Sequence, residues 1–133
     1  MTCFANAFSK RPSRCEGRGV YLKHVLRCIA RIEEYTVAGR ESFFSSHLIQ
    51  DGVIRNLQTL AESSQRLSES IKESHADVDW KGLAGFRNVL VHDYLGVDLV
   101  LVYRAVEQDV PRLKRACERA LAGREPSPSD GAA

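Results

Sequence analysis

The sequence predicts an all-α fold, an antiparallel four-helix bundle flanked by disordered N- and C-terminal tails. Apolar residues recur at helical spacing from about residue 20 to residue 121, with no strand-like alternation longer than a few residues. Residues 1–19 and 123–133 carry Pro, Gly, Ser and dispersed charge with no sustained period, the composition of chain that cannot bury a core. The 133 residues, 44% hydrophobic and 27% charged, suit one soluble domain of about residues 20–122.

The first helix is expected over Val20–Thr36, with Leu22, Val25, Leu26, Ile29 and Ile32 on one face and Lys23, Arg27 and Arg31 mostly on the other. Ser42-Phe-Phe-Ser-Ser follows Gly39 as a short turn whose Phe43 and Phe44 plug the bundle. A long second helix is expected over Leu48–Ser74, with Val53, Leu57, Leu60, Leu67 and Ile71 in its stripe. Its length would be roughly 40 Å. Asp77 or Asp79 caps a third helix over Asp79–Tyr94, which Gly96 ends. The fourth spans Asp98–Leu121, with Leu99, Val102, Val106, Val110, Leu113 and Cys117 inward. The run Val97–Val102 reads as helix because its apolar spacing continues beyond it. Pro111 removes a backbone donor and should kink or split this helix near Glu107–Val110. A core of this size is modest, which makes dimerisation plausible.

Charge and composition exclude several function classes. The formal charge is +2, and residues 1–19 hold +3 of it, which leaves −1 over the rest. Electrostatics alone therefore does not argue for nucleic-acid binding. No apolar run is long enough for a membrane span, and the first residues do not read as a secretory signal. Cysteines 3, 15, 28 and 117 form no C-x-x-C pair, which fits reduced thiols in a cytoplasmic protein. His24, His47, His75 and His92 show no metal-ligand spacing, and Gly82 and Gly85 lie inside a helical pattern rather than in a phosphate loop.

The segment Gly85–Tyr94 carries the chemistry. At about 100° per residue, Leu83, Phe86 and Leu90 share the apolar face, while Asn88 and His92 lie one turn apart on the opposite side. Arg87 and Tyr94 fall nearly in line on the shoulder. Each residue has an ordinary surface role when taken singly: His92 suits a helix C-terminus, Arg87 a solvated charge, and Tyr94 a half-buried aromatic. Together they gather an imidazole that exchanges protons near neutral pH and a guanidinium that binds phosphate and stabilises charge on a pentacoordinate phosphorus. A metal-independent ribonuclease needs those parts, since RNA supplies its own 2′-hydroxyl nucleophile.

Arg87-Asn-Val-Leu-Val-His92-Asp-Tyr94 resembles the R-x4-H-x-Y motif of HepT-like toxins in the HEPN superfamily. The blocks starting at Tyr21, Arg31, Gln50 and Asp93 also resemble the family's, in its order, so the likeness covers about residues 20–121. The resemblance implies a HEPN-like helical bundle that dimerises and cuts RNA without metal or other cofactor. Arg87 and His92 would be the catalytic pair, supported by Asn88. It also implies a partner antitoxin, a minimal nucleotidyltransferase (MNT), that transfers AMP from ATP onto Tyr94. The added phosphodiester and base would occupy the guanidinium and block RNA.

Arg87 and His92 are about 140° apart on an ideal helix. They converge if the arginine arm wraps round, if the helix end unwinds, or if a second protomer completes the site, the arrangement favoured here. Two positions depart from the family. Ala61 and Ser63 flank a retained Glu62, which either orients a basic group or faces solvent. Residues 1–19 have no counterpart, and Val20 stands where a start residue is expected. Peptides from Met1–Gly19 in native cells would refute a start at Val20. The alternative function is a non-catalytic helical partner that binds nucleotide or docks a nucleotidyltransferase, and the charge of −1 outside the leader leans that way. A plain structural bundle is the third reading.

Overall fold

A computed structural model of the chain describes residues 14–92 and 96–124, with side chains described over 19–92 and 96–123. Tyr94 and most of both expected tails lie outside the described residues. The described residues contain no strand. Their elements are α1 (Arg14–Tyr35), α2 (Arg40–Ser45), α3 (His47–Gln65), α4 (Glu69–Ser74), α5 (Trp80–His92), α6 (Leu99–Arg104), a π-helical turn (Ala105–Asp109) and α7 (Val110–Arg124).

The four long segments run antiparallel, as their cross-contacts show. Near one end of the α1–α3 pair, the Arg66 guanidinium lies 5.9 Å from the Tyr21 ring centre, and His24 Nδ1 is 2.6 Å from Ser63 Oγ. Near the other end, Tyr35 packs against Gly52, where a Cβ would come within 3.0 Å of the ring. Glu62 and Gln58 on α3 meet Arg87 and Leu90 on α5 in reverse order. On α7, Lys114 reaches Glu33 of α1 at 2.9 Å and Arg119 reaches Asp77 ahead of α5 at 3.4 Å.

The core follows the predicted stripes. Leu22, Val25, Ile29 and Ile32 are fully buried, as are Val53, Leu60, Leu90 and Val102. Phe43 is also fully buried, edge-on to Phe44 at 5.0 Å and tilted against Tyr103 at 5.0 Å, so α2 does plug the bundle. Gln50, itself buried, donates through its side-chain amide to the carbonyls of Phe43 and Phe44 at 3.0 and 3.2 Å, answering acceptors at the end of α2.

The boundaries differ from expectation in three places. α1 starts at Arg14 rather than Val20. The last helix continues through Arg124, past the expected end at Leu121. The long second helix over Leu48–Ser74 does not form as one piece: it breaks between Gln65 and Glu69. The Arg66 N–H turns to the carbonyls of Ser63 and Ser64, and the Ser68 hydroxyl accepts from Ile71 N to open α4. Serine offers the backbone such local partners, and here they win over helix continuation. Leu67 stays buried across the break, which is why the apolar spacing concealed it.

Asp98 caps α6 by accepting from Val100 N at 2.9 Å, so the Val97–Val102 run is helical as expected. The π-helical turn ends just before Val110-Pro111. Without an N–H, and with its ring crowding the carbonyl of Glu107, Pro111 disrupts the regular ladder where the sequence placed the defect. No helix among the described residues is long and apolar enough to cross a membrane.

Candidate active site

The motif helix α5 is tied down at both ends. At its start, Asp79 Oδ1 accepts from Gly82 N at 2.9 Å, and a Cβ at Gly82 would collide with that carboxylate. The Trp80 indole N–H donates to the carbonyls of Lys72 and His75, both at 3.1 Å. Near its end, the Gln58 side-chain amide on α3 donates to Leu90 O at 2.9 Å. Leu90 is the residue α5 buries completely, with Leu83 and Phe86 half-buried beside it.

This register sends the candidate side chains where the helical wheel placed them. His92, in the last turn, and Asn88, one turn earlier, are exposed. The imidazole is not a core histidine. Arg87 lies on the shoulder: its side chain is 30% exposed and leans on α3, where Nη2 donates to Glu62 Oε1 at 3.1 Å. Its Nη1 donates to Asn88 Oδ1 at 3.2 Å, and its Nε is buried without a hydrogen-bond partner among the described residues. Of the two roles open for Glu62, the structure gives it that of a partner to the basic group. No hydrogen bond joins Arg87 to His92 among the described residues. The candidate Tyr94 lies outside the described residues.

Gln58 was not singled out from the sequence. The available signal was its spacing of four from Glu62, which puts both on one face of α3. Ser63, the next residue, faces α1 instead and meets His24. Burial, with Arg27 and Arg31 nearby, lowers the His24 pKa below its ordinary 6.5, so this ring belongs to the helix interface rather than to the motif.

A groove of about 240 Å³ opens between α5 and the segment from α6 to α7. Leu57, Leu60, Phe86 and Leu113 contribute apolar walls, and Arg104 and Asp109 line it with charge. Three large apolar side chains on these elements stay about half exposed: Val89 at 48%, Val100 at 47% and Leu101 at 51%.

Chemically, the site offers a guanidinium already held in place, an amide and a solvent-accessible imidazole on one helix. That set can bind a phosphodiester and exchange a proton.

The family model described as "Ribonuclease HepT-like" matches residues 25–120 of this chain. A protein of Methanocaldococcus jannaschii named "Gamma-glutamylcyclotransferase and putative RNase" is 40% identical over 96 residues, which are 71% of this chain and 43% of that protein. The chain thus spans less than half of that relative. The "Probable ribonuclease HepT" of Thermococcus cleftensis is 34% identical over 103 residues, 74% of this chain and 91% of the relative. No solved structure gives a significant match.

Proposed function

We propose, from the premise that this chain belongs to the HepT-like ribonuclease family, that it is a metal-independent endoribonuclease acting as the toxin of a toxin–antitoxin pair. Arg87 holds the scissile phosphate and stabilises its added charge. His92 serves as the proton-transferring group, and Asn88 supports the pair. The 2′-hydroxyl of the substrate attacks the adjacent phosphorus and the 5′-oxygen of the next nucleotide leaves with a proton. The observation that carries the reading is the placement of His92: a family-motif imidazole exposed on the same helix as a guanidinium already held by a carboxylate.

The site is completed by a second protomer. Within one chain, Arg87 is drawn towards α3 while His92 faces outward, and the half-exposed Val89, Val100 and Leu101 provide apolar surface for pairing. The cognate MNT antitoxin transfers AMP from ATP to the Tyr94 hydroxyl with release of pyrophosphate. The new phosphodiester then competes with RNA for Arg87.

Induction of the wild type and of His92→Ala in a bacterial host is the test. Growth arrest by the wild type alone is expected, and purified wild type should cut RNA in the presence of EDTA. Equal inhibition by both chains, or inhibition by neither, would favour the non-catalytic docking reading, for which the net charge of −1 outside the leader speaks.

A further inference from the structure

We infer that Gln58 and Glu62 are positioning residues for the proposed ribonuclease site, acting as a two-point clamp from α3 on the helix that carries Arg87 and His92. The inference rests on the ribonuclease reading above. Gln58 and Glu62 lie one turn apart on α3. The first donates to Leu90 O at 2.9 Å and the second accepts from Arg87 Nη2 at 3.1 Å. The two grips therefore fall inside the motif, one on the side chain of Arg87 and one on the backbone two residues before His92.

The clamp does more for geometry than for stability. The Glu62–Arg87 pair is partly solvated, with side chains 54% and 30% exposed, and pairs of that kind contribute about 0–1 kcal/mol. An arginine side chain is nevertheless costly to order, roughly 2 kcal/mol in lost rotamer freedom. Glu62 meets part of that cost before substrate arrives. It engages Nη2 and leaves Nε without a partner.

Gln58 acts at the other end. Leu90 O lies in the last described turn of α5, two residues before His92. The Gln58 amide donates to that carbonyl and holds the backbone from which the His92 side chain projects.

The test compares wild type, Glu62→Gln, Glu62→Ala and Gln58→Met on a fluorogenic RNA without added metal, with Arg87→Ala and His92→Ala as inactive controls. Glu62→Ala should lower kcat by about tenfold to a hundredfold, the scale of a misplaced catalytic group. KM should stay level or fall, because a carboxylate that repels RNA has been removed. Glu62→Gln keeps an acceptor for Nη2 and should recover most of kcat. Gln58→Met keeps the volume but loses the donor. It should lower kcat at least fivefold and speed amide hydrogen exchange at Val91 and His92, while exchange at Ile29 is unchanged.

Wild-type kcat in both Glu62 variants and in Gln58→Met, with the controls dead, would overturn the clamp and leave the ribonuclease reading standing. So would a gain in kcat for Glu62→Ala. If wild type and both controls cut RNA equally or not at all, the reading fails and the positioning inference falls with it.

Discussion

Replacing Leu90 by alanine asks whether α5 hangs on one buried side chain. α1 buries Leu22, Val25, Cys28, Ile29 and Ile32, whereas α5 completely buries only Leu90 and leaves Leu83 and Phe86 half-covered. Truncation to alanine removes three carbons, worth about 2.4 kcal/mol in transfer at ~0.8 each. The unfilled space adds a cavity penalty, which brings the total to about 3–4 kcal/mol, within the range of buried leucine truncations. A domain of this size has about 5–15 kcal/mol of stability, so the variant should still fold. Urea unfolding of Leu90→Ala and Leu90→Met gives the assay, with Leu90→Met costing less than about 1.5 kcal/mol because volume is retained. Hydrogen exchange should quicken more at Arg87–His92 than at Ile29. A loss below about 1 kcal/mol for Leu90→Ala would refute the view that this contact seats the motif helix.

Gln50→Ala should cost on the order of 2 kcal/mol in chemical denaturation, since it strands the Phe43 and Phe44 carbonyls at the end of α2; an unchanged midpoint would show that neither bond matters. His24 has a folded-state pKa lowered by burial and by Arg27 and Arg31, so the unfolded chain binds its proton more readily. Its contribution to stability is therefore present above pH 6.5 and lost as pH falls from there through the folded value, and His24→Gln should flatten that part of a stability–pH curve. Burial, with the nearby Glu118 charge, pushes the Cys117 thiol up to about 12, and burial also raises Cys28. Both thiols should resist Ellman's reagent at pH 8 in the folded protein and react on addition of urea; rapid labelling of native Cys117 would contradict the packing of α7.

What was legible in the sequence was what one helix can decide alone. The stripe of Leu22, Val25, Ile29 and Ile32 needs only its own spacing, and all four are buried. Pro111, through its missing donor, marked where the last helix is interrupted, but not that the interruption is a π-helical turn. The outward face of Asn88 and His92 followed from the same wheel that put Leu90 inside. The break after Gln65 was hidden because apolar spacing persists through Leu67 and Ile71, while the choice is made by serine hydroxyls and turned backbone groups. The partnership of Glu62 with Arg87 depends on the register between α3 and α5, which neither helix states by itself. Gln58 was missed for the same reason.

The two proposed catalytic groups occupy different mechanical settings, and the difference bears on assembly. Arg87 is braced by Glu62 and Asn88, as a group that stabilises developing charge should be before reaction begins. His92 is exposed, and although Gln58 holds the backbone two residues before it, no described side chain hydrogen-bonds its ring. A free imidazole in water is a weak catalyst until something orients it and excludes solvent. On the proposed reading that role falls to a second protomer docking across the half-exposed Val89, Val100 and Leu101, which ties turnover to dimerisation rather than to folding. Activity per chain should then fall steeply as protein is diluted through the dimer–monomer transition followed by sedimentation, while the helical circular dichroism signal holds. A Leu101→Asp variant, altered at a residue 51% exposed, should lose activity and dimer together yet unfold near the wild-type midpoint. Constant activity per chain across that dilution would mean that a single protomer brings Arg87 and His92 together, and the two-protomer site would have to be abandoned.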